Sequence, residues 1–150
     1  MLEVIGDIWD YHKQDKPIVI TTNRTINAKN EIVMGRGVAL QAKQKFPDLP
    51  RQLAIRIKNL GHDTVFWFFN YHLFTFPVKH NWFEKADIQL IEKSAYDLVA
   101  FVNTLSRENP SYFSKIYMVR PGCSNGKLTW DYVKPKIKNL LDDRFVIVQI

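Results

Sequence analysis

The chain of 150 residues has a single cysteine, Cys123, so an intrachain disulfide is excluded. Apolar runs long enough to span a bilayer are missing too. The aromatic-rich stretch Phe66-Trp67-Phe68-Phe69-Asn70-Tyr71 is too short for that and reads as a buried strand. The N-terminus, Met1-Leu2-Glu3-Val4-Ile5-Gly6-Asp7, lacks the basic start and apolar stretch of a signal peptide. The histidines (His12, His62, His72 and His80) show no HExxH spacing, and a lone cysteine permits no CxxC pair, so no metal site is expected. These absences predict a soluble, cytoplasmic protein with no membrane partner, no metal and no resident cofactor. Repeats, linkers and low-complexity tracts are missing as well, so residues 1–150 read as one domain.

What is present is ordinary for a globular fold: 46% hydrophobic and 24% charged residues, with a high aromatic share of 13%. The net charge of +6 favours a phosphate-bearing partner. It permits nucleic acid without requiring it.

Hydrophobic patterning alternates between strand and helix. Leu2–Ile5 reads as a strand ended by a turn at Gly6-Asp7, and Pro17–Thr22 as a β-branched strand buried on both faces. A polar loop from Asn23 leads to Met34-Gly35-Arg36-Gly37. From Val38 the spacing turns helical, with Val38, Ala39, Ala42 and Phe46 on one face, and Pro47 ends the run. A second helix is predicted from Leu49 towards Asn59, with Leu53, Ile57 and Leu60 inward and Gly61 as terminator. Thr64–Phe69 and Leu73–Phe76 are strand candidates. Ile88, Ile91, Ala95, Leu98, Val102 and Leu105 recur at helical steps until Asn109-Pro110. Ile116–Val119 reads as a strand and Trp130–Leu141 as a helix, which Pro135 either kinks or begins. Phe145–Ile150 closes the chain as a strand, treated as an edge. This order predicts an α/β fold: a central, largely parallel or mixed sheet covered by helices on both faces.

Ligands in such sheets bind beyond the carboxyl ends of the strands. Two strand-to-helix loops there are rich in small residues: Met34-Gly35-Arg36-Gly37-Val38 and Gly122-Cys123-Ser124-Asn125-Gly126. Glycine lets a backbone approach a ligand, and the helix that follows offers unpaired N–H groups to a phosphate. The first loop lacks the third glycine of the dinucleotide fingerprint. Cys123 has no nearby histidine in sequence and reads as a small structural residue rather than a nucleophile. Trp130 reads as an aromatic packing the last helix onto the sheet.

Several segments together carry a resemblance. Gly6-Asp7-Ile8, Ile20-Thr21-Thr22-Asn23, Val33–Ala39 with Phe46-Pro47, Phe76-Pro77-Val78-Lys79-His80-Asn81-Trp82 and Gly122–Trp130 resemble, in order and over nearly the whole chain, the macrodomain family. The nearest likeness is to DNA ADP-ribosyl glycohydrolase antitoxins and terminal ADP-ribose protein glycohydrolases. The resemblance implies a monomeric, three-layer α/β/α macrodomain with ADP-ribose as ligand or product and an ADP-ribosylated macromolecule as partner. It implies that Asp7, as a buried carboxylate, accepts a hydrogen bond from the adenine amino group beside Ile8, and that Asn23 binds the distal ribose. Met34, Gly35, Arg36, Gly37 and Val38 would face Gly122, Cys123, Ser124, Asn125 and Gly126 across the diphosphate and distal ribose.

Lys79 matches the family's catalytic lysine. Burial against Phe76, Val78 and Trp82 would lower its pKa towards a free amine, whereas a charged Lys79 would stabilise negative charge or polarise the scissile bond. In one respect the sequence departs from the protein-directed enzymes. They carry an aspartate in the second loop, where this chain has Gly126 or Lys127. The loop Arg24–Val33 is also longer than in the antitoxins, which threatens to displace Asn23. The expected function is hydrolytic removal of ADP-ribose from DNA or protein. The alternatives are a non-catalytic ADP-ribose reader and an ADP-ribose 1″-phosphate phosphatase.

Overall fold

A computed structural model describes residues 1–61 and 64–150. His62, one of the histidines weighed above, lies outside them. Among the described residues six strands form a single sheet in the order β1-β6-β5-β2-β4-β3. The strands are β1 (Leu2–Ile5), β2 (Ile18–Thr22), β3 (Phe66–Phe68), β4 (Leu73–Pro77), β5 (Ile116–Val119) and β6 (Phe145–Gln149). All neighbours run parallel except β3, which pairs antiparallel with β4. The sheet is therefore mixed, and the carboxyl ends of five strands share one edge.

The helices are α1 (Ile8–Lys13), α2 (Gly37–Lys45), α3 (Leu49–Leu60), α4 (Ile88–Glu108) and α5 (Trp130–Ile137). Strand side chains alternate between faces, and the apolar residues sort into two cores accordingly. Val19, Phe74, Phe76, Met118, Phe145 and Ile147 pack under α4 and α5. Ile18, Ile20, Phe66, Phe68, Leu73 and Val148 pack under α1, α2 and α3. This is the three-layer arrangement that the alternating pattern implied. Among the described residues no helix is long and apolar enough to cross a membrane.

Where the elements differ from expectation, local chemistry explains it. The short helix α1 follows the turn directly, because the Asp7 side chain caps it by accepting from the Trp9 backbone N–H at 2.9 Å. The aromatic run is a strand only as far as Phe68. Phe69–Tyr71 forms a 3-10 turn that leaves Phe69 74% exposed, and His72 takes a left-handed conformation to enter β4. Leu60, expected inward, is 68% exposed because it occupies the last position of α3 before Gly61 ends the helix. Pro135 does not begin α5. The helix starts at Trp130, capped by Thr129, and Pro135 sits inside it. The C-terminal strand is no edge: β6 lies between β1 and β5, paired on both sides.

Candidate functional site

A chain that leaves β2 for β4 on one side and returns to β5 on the other makes a switch point between β2 and β5. The loops there diverge, and a crevice opens at the carboxyl edge. In this protein the crevice is a cleft of about 1090 Å³, at the upper end of ordinary small-molecule sites (~300–1,000 Å³). The turn after β1 contributes Asp7 and Ile8, and the loop after β2 contributes Asn23, Gly35, Arg36, Gly37 and Val38. The segment after β4 contributes Lys79, and the loop after β5 contributes Gly122 through Gly126.

The two glycine-bearing loops meet. Gly37 has φ +58°, and a Cβ there would come within 2.7 Å of the Asn125 side-chain nitrogen. The N-terminus of α2 lies at this junction, and its cap residue, Arg36, makes no side-chain hydrogen bond to it. The first-turn N–H groups are thus left for another acceptor. The second loop folds on itself through Leu128 N–H to Gly122 C=O (2.9 Å) and Lys127 N–H to Ser124 C=O (3.1 Å).

Asn23 lines the cleft with the excursion from Arg24 to Val33 in place. Ile26 and Ile32 bridge it as a small hairpin, and the Thr25 carbonyl accepts from the Val33 N–H at 2.9 Å. The two ends of the excursion therefore return to one place. Asn23 fastens that closure, donating to the Val33 carbonyl at 2.8 Å and accepting from the Thr25 N–H at 2.9 Å. One amide N–H and one carbonyl lone pair stay uncommitted.

Lys79 follows β4, whose final carbonyl, on Pro77, accepts from the buried Ser94 hydroxyl of α4 at 2.8 Å. Its Nζ is half-buried and donates to the Asn125 carbonyl at 3.0 Å and to the Trp82 carbonyl at 3.5 Å. Among the described residues no carboxylate pairs with it. Partial burial is the largest influence lowering its pKa, and the charges of Lys127 and Arg36 lower it further. A neutral amine can make both of its hydrogen bonds.

The similarity to known proteins is consistent across sequence and fold. No family model matches the chain. In an alignment of 127 residues it is 30% identical to a DNA ADP-ribosyl glycohydrolase of Thermus aquaticus, a match that covers 78% of this chain and 33% of that curated relative. The solved macrodomain of Thermus aquaticus DarG superposes with a TM-score of 0.73 at 25% identity, covering 99% of this chain and 97% of that one. A Thermosipho africanus DarTG structure, in complex with ADP-ribose, superposes at 0.69 with 20% identity over 99% of this chain and 42% of its own. This chain has the macrodomain fold.

Within the macrodomain cleft, two expected features are placed differently. Met34 is not on the cleft wall. It is 2% exposed and packs in the core with residues of α2 and α3. Asp7 is exposed rather than buried, because it sits on the rim where β1 gives way to α1. Only one of its oxygens, Oδ1, serves as the helix cap. The apolar surroundings predicted for Lys79 also change: Trp82 approaches it through its backbone carbonyl, while its ring is half in solvent. The Cys123 thiol hydrogen-bonds the Pro121 carbonyl at 3.5 Å, and burial pushes its pKa up to about 11. That is a structural thiol. Trp130 both borders the cleft and anchors α5, donating from Nε1 to the Glu3 carboxylate on β1 at 2.8 Å.

Sequence reasoning missed Arg24, Arg120 and the chain of contacts around His80. Arg24 is buried and donates to His80 Nδ1. Arginine cannot accept, so His80 must accept there and donate from Nε2 to Asp87, 2.8 Å away. That bond holds the Asp87 carboxyl below its usual range, while its other oxygen caps α4. These residues brace both ends of the segment that carries Lys79. Arg120 donates to Gln149 at 2.7 Å and lies over the Trp130 ring at 5.2 Å, at the far end of the cleft. Neither arginine had a sequence signal, because each acts through partners distant in the chain.

Proposed function

We propose that this macrodomain binds ADP-ribose across the two meeting loops and removes it hydrolytically from a modified nucleic acid. The reading rests on Lys79: a partly desolvated amine, without an acidic partner, held against the second loop where the distal ribose would lie. Support also comes from the similarity to the Thermus aquaticus DNA ADP-ribosyl glycohydrolase and from the ADP-ribose in the Thermosipho africanus structure.

In this reading the free Asp7 oxygen takes the adenine amino group, and the uncapped start of α2 with the Ser124 and Asn125 loop takes the diphosphate. Asn23 offers its remaining N–H and lone pair to the distal ribose. Lys79, unprotonated, uses the Nζ lone pair to form a bond to C1″ while the bond to the target breaks. The target leaves with the electron pair and gains a proton, and water then displaces the amine. A deprotonated amine needs no acidic partner to hold it, which fits a second loop with Gly126 or Lys127 where the protein-directed enzymes carry an aspartate.

The test is release of ADP-ribose from a modified single-stranded oligonucleotide. Lys79→Ala should lower it by at least about 100-fold while ADP-ribose still binds. Lys79→Arg, which keeps the charge but cannot supply a free amine, should be as inactive. An active Lys79→Arg enzyme would overturn the nucleophilic role, and a wild type that binds without release would make the domain a reader.

A further inference from the structure

Two large aromatic side chains stand at the mouth of the cleft with no core to fill. Trp82 is 52% and Phe83 69% exposed, and both border the opening. Their rings meet edge to face, with centroids 5.7 Å apart and planes at 90°. Only one face in such a pair is covered by the other ring's edge, so flat aromatic surface remains open to solvent.

The segment holding them is braced. The Trp82 N–H donates to Thr25 Oγ1 at 3.0 Å, Asn81 Nδ2 donates to Glu84 at 2.5 Å, and the Ala86 N–H donates to the Gly126 carbonyl at 3.0 Å. The Trp82 carbonyl in turn lies 3.5 Å from Lys79 Nζ. Lys79 and both rings thus line one opening. Two cations border the same opening: Arg36 and Lys127 line the cleft and are near enough to depress Lys79.

We propose that Trp82 and Phe83 form a stacking platform for a nucleobase of the modified substrate. The inference rests on the ADP-ribose cleft described above. A base presents a flat π-face that a peptide side chain lacks in most sequences, and its backbone phosphates match Arg36 and Lys127. An unpaired strand is needed because a base stacked in a duplex cannot reach both the rings and Nζ.

The experiment measures affinity in the Lys79→Ala background, so that no ligand is consumed, for an ADP-ribosylated single-stranded oligonucleotide, free ADP-ribose and an ADP-ribosylated peptide. Trp82→Leu and Phe83→Ala should each weaken the oligonucleotide by about 10- to 100-fold. Free ADP-ribose and the peptide should change less than about 2-fold, and Trp82→Phe should restore most of the loss. Unchanged oligonucleotide affinity, or equal losses on all ligands, would overturn the platform. Because binding is read without turnover, a domain that proves to be only a reader still tests it.

Discussion

Lys79 shows how much a single side chain owes to its surroundings. Chain position alone makes it one cation among 21 Lys and Arg residues. Its partly buried amine, with Lys127 and Arg36 nearby and only carbonyls to bond, is biased towards the neutral form. Activity should accordingly rise with pH, with a midpoint below the ordinary lysine value of about 10.4, as measured by the pH profile of ADP-ribose release. The same bias costs stability. A lysine whose pKa is lowered in the folded state destabilises the fold below that folded pKa, and the penalty fades as pH rises towards the unfolded value. Lys79→Met should therefore raise the Tm slightly at pH 7, and the gain should vanish by about pH 11. A Tm that falls at pH 7 would show that Nζ stabilises the fold through Asn125 instead.

At the scale of elements, the cleft depends on where two loops can turn. Gly122 has φ +77°, and a Cβ there would lie 2.7 Å from Ile91 Cδ1 and 3.1 Å from the Ala86 Cβ. Gly122→Ala combines left-handed strain with overpacking against α4 and should cost about 1–3 kcal/mol, seen as a Tm drop of several degrees. Gly37→Ala should behave differently, because its new methyl group would press on Asn125 rather than on the core. ADP-ribose affinity, by calorimetry, should fall about 10-fold or more with a smaller change in Tm. Equal effects of the two substitutions on Tm and affinity would mean that the loops are not separately coupled to core and cleft. The elements themselves were mostly readable from period and punctuation. α4 announced itself through its apolar steps from Ile91 to Val102, and β2 through its β-branched run. α1 was not readable, since six residues show too little period and its cap, Asp7, looks like any turn aspartate.

For the molecule as a whole, charge sets two expectations. Asp87, Asp142 and Glu3 have carboxyl pKa values lowered chiefly by hydrogen bonds from His80, Arg144 and Lys134. Groups lowered in this way contribute stability above their unfolded pKa and lose it as pH falls through the folded one. Acid unfolding followed by circular dichroism should thus set in below about pH 4. The net charge of +6 should make binding of a modified oligonucleotide weaken steeply with salt. Each phosphate neutralised contributes a slope of about −0.7 in log K against log salt on a single strand, whereas free ADP-ribose has only its own diphosphate to lose.

From residue order alone came the alternation of strand and helix, the two glycine-bearing loops, and the segments likened to macrodomains, because hydrophobic period and turn chemistry are local properties. Only the tertiary structure decided that β6 is interior, that Met34 turns into the core while its neighbours line the cleft, and that the Arg24–Val33 excursion closes on itself. It alone also placed Arg24 against His80 and Gly37 against Asn125. Each of these depends on which distant segments share an edge of the sheet, and pairing between remote strands leaves no periodic mark in either of them.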